Sequence, residues 1–485
     1  MILASRLHVM SDMFSKTIVC RASITVLVLS ALAAAQKEVP LPKDLPPYGP
    51  ERPMTTPSVK SAKLENGLTI WLVSEPGFPK VALTVAIRGG FAADPTDRPG
   101  ISELLSKTID QGTRIRSAKQ IAQELQASGG DLTASVGKDS LVLSAVVLSS
   151  KVDSAVTVLA DVLQNASFPE AEVTLAKRNL TDSLEQREAE PSFLAQRARD
   201  KVLFSDHPYH VTSPTRESIA AATPADLRQI FEQRFRPDQV ILIAVGDFQN
   251  DRVLATIKSA LASWKAPASP PPAPTPSPVV TVEHAVYIVP RPESVQTTIE
   301  LITVGPKLGD SDYEISQVAN AIYGGAFSSR LTSNIREDKG YTYTPYSRIA
   351  SYQASAEMIS HADVRNEVTA PTLNEIEYEL NRLVTTTPTD EELSKAKRYL
   401  VGLDALRLQD RGSLAYRLAT LWIDGLPPEQ IGISGQKIKS ASAADIDSAA
   451  KKYFPAHRSA IIAVGEEKVI RDALEPFGLP IHNLP

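Results

Sequence analysis

Imidazoles, carboxylates and thiols are what a protein uses to hold a metal or attack a substrate, and this chain spaces them poorly for either task. Its histidines are His8, His207, His210, His284, His361, His457 and His482, and no two are four apart. Only His207 and His210 are close, in Ser205-Asp206-His207-Pro208-Tyr209-His210. Asp206 with these two could hold a metal, although Pro208 disfavours helical geometry there. The other stretch of interest is Gly100-Ile-Ser-Glu-Leu-Leu-Ser-Lys-Thr-Ile-Asp-Gln-Gly112-Thr113, whose pattern predicts a helix carrying Glu103, Ser106 and Lys107. Zinc takes neutral imidazole, thiolate or carboxylate donors, and the Lys107 ammonium would repel it. Glu103 and Lys107, four apart with the acid first, are placed for an ordinary intrahelical ion pair.

The chain has 485 residues, 43% hydrophobic and 22% charged, which fits a soluble globular protein of two or three domains. A net charge of −5 with scattered lysines and arginines gives no basic footprint, so nucleic acid is not an expected partner. Arg21, the apolar run Ile24 to Leu32 and Ala33-Ala34-Ala35 before Gln36 read as a secretory signal peptide over 1–35, with Met13 a possible true start. The apolar run is short of the ~20 residues that a spanning helix needs, so stable membrane insertion is not expected. The only cysteine, Cys20, would leave with that segment, and the mature chain would then have no disulfide, no thiolate ligand and no cysteine nucleophile. The expected location is periplasmic or secreted, with cleavage near Ala35.

Around the Gly100 helix the pattern predicts a strand at Val81–Ile87, a loop over Arg88–Pro95, a strand near Leu141–Val147 and a buried strand ending at Gly246. A proline-rich arm occupies 36–56. Between Pro267 and Pro278 seven of twelve residues are proline, a stiff linker over 267–279 that separates 57–266 from 280–485. The second half repeats the first. Ala176-Lys177-Arg178 returns as Ala396-Lys397-Arg398 at a shift of 220, while Ala225-Asp226, Phe235 and Ile243-Ala-Val-Gly246 return as Ala444-Asp445, Phe454 and Ile462-Ala-Val-Gly465 at 219. Each copy is therefore expected to be a whole α+β domain.

The strand, loop and Gly100 helix resemble the pitrilysin/insulinase family of zinc peptidases, which includes the mitochondrial processing peptidases. That family carries His-x-x-Glu-His in the frame G-(L/I)-x-H-x-x-E-H-x-x-x-x-G-T. This chain keeps Gly100 and Gly112-Thr113 but has Glu103, Ser106 and Lys107 at the ligand, base and ligand positions, and Ser183 at the third ligand, with Asp182 and Glu185 as near neighbours. The Asp206–His210 run resembles a structural His-Pro-Tyr segment of the family. A longer match is Tyr323-Gly324-Gly325-Ala-Phe-Ser-Ser-Arg330-Leu through Arg336 to Tyr343, similar to the family's carboxy-terminal signature. By that resemblance Arg336 and Tyr343 are a substrate-facing pair, with Tyr341 as the competitor if the register shifts. A guanidinium and a phenol can hydrogen-bond a peptide carbonyl and stabilise an oxyanion.

The resemblance implies two homologous α+β domains, each a mixed or antiparallel sheet with packed helices, facing each other as a clam-like chamber. It further implies a non-catalytic subunit of a heteromeric zinc peptidase, inactive alone and without a cofactor of its own. A homologous partner with an intact His-x-x-Glu-His motif would supply zinc, and this chain would position a peptide or unfolded polypeptide. The alternatives are a structural or assembly subunit, as in the core proteins of the respiratory cytochrome complex, and a peptidase with an atypical metal site around Asp206, His207 and His210.

Overall fold

A computed structural model of the chain describes residues 56–484, which lie in one compact unit. The signal segment and nearly all of the proline-rich arm fall outside the described residues. Two six-stranded sheets organise the rest. The first is ordered β1-β2-β6-β3-β5-β4, from β1 (Lys60–Lys63), β2 (Thr69–Ser74), β3 (Lys80–Arg88), β4 (Leu132–Val136), β5 (Ser140–Leu148) and β6 (Val240–Gly246). The second is ordered β12-β7-β11-β8-β10-β9, from β7 (Val286–Pro290), β8 (Gln296–Val304), β9 (Tyr346–Ser351), β10 (Ala356–Arg365), β11 (Ala460–Gly465) and β12 (Ile481–Asn483). Both are mixed: β6 runs parallel to β2 and antiparallel to β3, and β11 does the same with β7 and β8. The duplication extends to this topology, and only the outermost β1 and β12 differ, one antiparallel and the other parallel to its neighbour.

The repeated residues recur because they solve the same local problem twice. Asp226 and Asp445 each complete a capping box, with Thr223 and Ser442, at the start of the helices Pro224–Arg234 and Ala443–Tyr453. Phe235 and Phe454 end those helices in the core. Lys177 Nζ donates to the carbonyls of Ala220 and Ala222, both at 2.8 Å, and Lys397 Nζ donates to Lys439 O at 3.1 Å, so each lysine satisfies carbonyls at the end of a neighbouring helix. The Ile-Ala-Val-Gly segments are β6 and β11, wholly buried because both sheet faces are covered.

Each half supplies part of that cover to the other. The helix Pro191–Phe204 packs on β8 and β11, and the helix Arg411–Ile423 packs on β3 and β6. Ala195, Ala198, Leu203 and Phe204 join Ile302, Ile359, Ile462 and Val464 in one apolar cluster, and a fully buried side chain of this size stabilises by about 1.5–3 kcal/mol. In the other direction Arg88 lies over the Trp422 ring, 4.1 Å from its centre, and donates to Trp422 O at 2.9 Å. These exchanged helices join the two halves. The linker 267–279 contains no helix or strand and is tied down by Arg236 to Ser269 O and His207 to Pro276 O, both at 2.8 Å. No helix among the described residues is long and apolar enough to cross a membrane.

Candidate functional site

The helix Ile101–Thr108 begins at Gly100, whose φ is +77° and whose missing Cβ would come within 2.1 Å of Pro214 N. No other residue fits both conditions. The first turn is then clamped. Ser102 hydrogen-bonds the Asp94 carboxylate, and Arg234 reaches Ser102 Oγ at 2.5 Å and Asp94 at 3.0 Å. Burial pushes the Asp94 carboxyl above its ordinary range, against the pull of Arg234. The helix ends at Thr108, short of the expected Gly112, and Gly112 and Thr113 form isolated bridges instead.

This anchoring sends Glu103, Ser106 and Lys107 towards a cavity of about 460 Å³, also lined by Ala134–Lys138, Arg187, Phe193 and, from the second half, Tyr352. The expected Glu103–Lys107 pair does not form among the described residues. Arg187, on the helix Glu170–Glu188, takes the Glu103 carboxylate instead, with Nη2 at 3.1 and 3.3 Å from its two oxygens. The planar guanidinium lies beside Phe193, 5.2 Å from the ring centre, and matches a carboxylate better than a solvated ammonium does. Lys107 is left exposed without an ion-pair partner among the described residues. The Ser106 hydroxyl donates to Glu103 O at 2.7 Å, so it serves its own helix turn. Ser183, Asp182 and Glu185 are exposed and do not line the cavity; one turn beyond Ser183, Arg187 does.

A divalent cation does not fit this set. Its one carboxylate is already bound to a guanidinium, and the next side chain on the helix is an ammonium. The second candidate set fares no better. His207 Nδ1 accepts from Tyr209 N at 3.2 Å, leaving Nε2 to donate to Pro276 O, while His210 Nδ1 is 2.8 Å from His207 O. Asp206 is fully exposed towards Lys201. The run is a fastening: the Tyr209 hydroxyl donates to Asp139 at 2.6 Å and accepts from Ala354 N at 2.9 Å, joining the two halves. Among the described residues no three His, Cys, Asp or Glu side chains are grouped to hold a metal. The folded chain, purified without added metal, should contain close to zero zinc per mole by elemental analysis; a value near one would refute this reading of the site.

Arg336 and Tyr343 do come together. Arg336 lies in a π-helical segment, Thr332–Asp338, and a second one covers Ala321–Gly325. Such turns are rare, and they are frequent at functional sites. Gly324 and Gly325 are the last residues of the earlier segment, and side chains there would collide: a Cβ on Gly324 would meet Ser347 Cβ at 2.8 Å and one on Gly325 the Asn320 amide at 2.5 Å. Between the segments Arg330 grips Glu392 with two bonds of 2.7 and 3.0 Å and holds that carboxyl down to about 2, a structural contact. The Arg336 guanidinium lies over two rings, 4.5 Å from the Phe327 ring centre and 4.6 Å from that of Tyr343. Both rings are largely exposed, at 67% and 77%. Arg336 also pairs with exposed Glu337 at 3.2 Å. Tyr341 lines the same cavity of about 520 Å³.

Glu103, Ser106 and Lys107 share no lining residue with that cavity. A smaller one adjoins the first through Arg187, Phe193 and Gln196 and reaches Glu300, Tyr346 and Arg348 of the second half. Arg187 escapes a reading by motif because it stands at no motif position, and Phe327, although inside the Tyr323–Tyr343 stretch, has no role that the motif assigns. Arg187 could have been found only by asking which charged residue a turn past Ser183 faces the Gly100 helix.

Comparison with known proteins places the chain in a family and supports its fold. Residues 69–213 match the model described as insulinase (peptidase family M16), and residues 221–400 match that of the peptidase M16 inactive domain. The uncharacterized zinc protease YmxG of Bacillus subtilis is 26% identical over 73% of this chain and 86% of its own length. An uncharacterized zinc protease of Rickettsia felis is 25% identical over 81% and 94%. In fold, a peptidase M16 inactive domain from Pseudomonas fluorescens superposes with a TM-score of 0.79 at 24% identity, covering 84% of this chain and 98% of that one. A chain of Complex III2 from Candida albicans superposes with a TM-score of 0.72 at 18% identity, covering 86% and 100%.

Proposed function

The chain belongs to the insulinase family of peptidases, M16, and from that premise we propose that it is the non-catalytic subunit of a heteromeric metallopeptidase. The observation that supports the reading is the Glu103–Arg187 ion pair, on the helix whose frame resembles that of the family's zinc motif. Zinc and the attacking water would come from a homologous partner with an intact His-x-x-Glu-His motif. This chain would contribute Arg336 and Tyr343, stacked and open to solvent, as donors to the substrate carbonyl, and a free sheet edge on which an extended peptide can lie. The pair would work outside the cytoplasm after removal of 1–35.

The test is reconstitution. The chain alone should hydrolyse no peptide, and adding it to a purified partner should raise cleavage at saturating peptide. No increase with any intact-motif homologue from the same cell would leave the second reading, a structural or assembly subunit, which the shared fold with a Complex III2 chain favours.

A further inference from the structure

The fastening between the halves at Tyr209 has a second carboxylate beside it that no bond explains. Asp139, at the tip of the β4–β5 hairpin, accepts from the Tyr209 hydroxyl at 2.6 Å with one oxygen and from Gln353 N at 2.9 Å with the other. Gln353, in the turn between β9 and β10, also donates its side-chain amide to Ile423 O at 2.7 Å. Ile423 ends the exchanged helix Arg411–Ile423, and the next residue is Asp424. One glutamine therefore links the first half's hairpin tip to the end of that helix, with an aspartate on either side of it.

Asp424 is badly placed to carry a charge. It stands at a helix C-terminus, where the dipole opposes a negative group. Its Oδ2 is buried and meets no donor among the described residues. The loop whose Gly309 lies against Leu426 brings Lys307, the helix Tyr313–Asn320 brings the Tyr313 phenol, and the hairpin tip brings Asp139 with Tyr209 behind it. The remaining charges nearby are engaged elsewhere: Lys138 with Asp200, Arg417 with Asp404, and Arg88 over Trp422. Burial and the Asp139 charge raise the Asp424 pKa to about 7, against the pull of Lys307. Burial raises Asp139 too, but its two donors favour its charged form, so Asp424 is the member that titrates near neutrality. We propose that Asp424 is the switch of a pH-sensitive fastening between the halves, tight while its carboxyl holds a proton and loosened once it ionises beside Asp139. Lys138 and Tyr352, the neighbours of Asp139 and Gln353, line the cavity next to Glu103, so loosening widens access to it. The fastened state holds the proton more tightly than the loosened one, so the fastening is strongest below the ordinary carboxyl range and is lost as pH rises through 7.

The experiment is hydrogen exchange of the full chain, read at the Gln353 and Ala354 amides, which bond Asp139 and the Tyr209 hydroxyl across the junction. Their protection, corrected for the intrinsic rise of exchange with pH, should fall about tenfold between pH 6 and 8.5. Asp424→Asn, which keeps the shape and removes the charge, should hold protection at its pH 6 level throughout. Lys307→Gln should move the fall to higher pH, because it removes the positive charge that favours the ionised form. His361→Gln should leave the fall in place, which separates this switch from the Glu300 cluster. Constant protection in the unmodified chain, a fall that survives Asp424→Asn, no movement in Lys307→Gln, or a fall abolished by His361→Gln would each overturn the proposal. No partner is needed, so this test and that of the subunit reading fail separately.

Discussion

Replacing Arg199 by Ala should cost about 3–5 kcal/mol of folding stability, because it leaves the Glu357 carboxylate buried without its cation and Glu300 with only His361. Arg199 sits on the exchanged helix Pro191–Phe204 and bonds Glu300 at 2.6 Å and Glu357 at 3.2 Å, all three at most 3% exposed. Burial works against the guanidinium charge, but the two carboxylates outweigh it and hold its pKa above the ordinary value. Tyr352 donates to Glu357 at 2.8 Å and His361 lies 3.2 Å from Glu300. The cluster therefore joins the first half to the centre of the second sheet. The variant Arg199→Met with Glu300→Gln and Glu357→Gln should recover most of the loss, since it removes the charges together and keeps acceptors for Tyr352 and His361. A urea midpoint for Arg199→Ala within ~0.5 kcal/mol of the unmodified chain would contradict the argument.

The same cluster sets a pH dependence. Burial lowers the His361 pKa, but bonds to Asp363 and Glu300 more than compensate and raise it from 6.5 to about 9. A folded-state pKa above the unfolded one stabilises fully below 6.5 and is lost as pH rises through 9. Unfolding measured across that window should show stability falling by up to ~3 kcal/mol, and His361→Gln should flatten the slope. An unchanged slope in the variant would remove His361 from the account.

What the sequence disclosed and what it hid divide by range. Asp226 with Asp445, Phe235 with Phe454 and Lys177 with Lys397 act on their own or adjacent helices, so the constraint was written twice at one offset and could be read. β4 was missed, since its short alternation Leu-Thr-Ala-Ser-Val has no strong apolar face and gains its meaning from being an edge. The Glu103–Lys107 pairing failed because the four-apart rule sees only one helix, whereas Arg187 arrives from another. Nothing local announced that the helix Arg411–Ile423 covers the other half's sheet. The missing imidazoles were legible directly: identity alone excludes a ligand, but what replaces it depends on neighbours far along the chain.

Arg336→Ala should lower stimulated peptide cleavage by about 10²-fold at saturating peptide, the scale for losing one preorganised oxyanion donor, while leaving the urea midpoint of the isolated chain within ~1 kcal/mol. The guanidinium is in contact with both the Phe327 and Tyr343 rings, which restrict it, and its ion-pair partner, Glu337, is 57% exposed. A surface pair of that kind contributes ~0–1 kcal/mol, so turning the fork from Glu337 to a substrate carbonyl costs little. Arg336→Lys keeps the charge but loses the fork and the stacking plane, and should recover only a minor part of the rate. Tyr343→Phe keeps the ring against Arg336 and removes the hydroxyl, so its loss should be smaller and should separate the phenol's hydrogen bond from its stacking. Tyr341→Phe should have no effect if Tyr343 is the correct member of the pair. If Arg336→Ala stimulates the partner as well as the unmodified chain does, the stack is an ornament of the surface, and the one other cation lining that cavity is Arg365, exposed at the far end of β10.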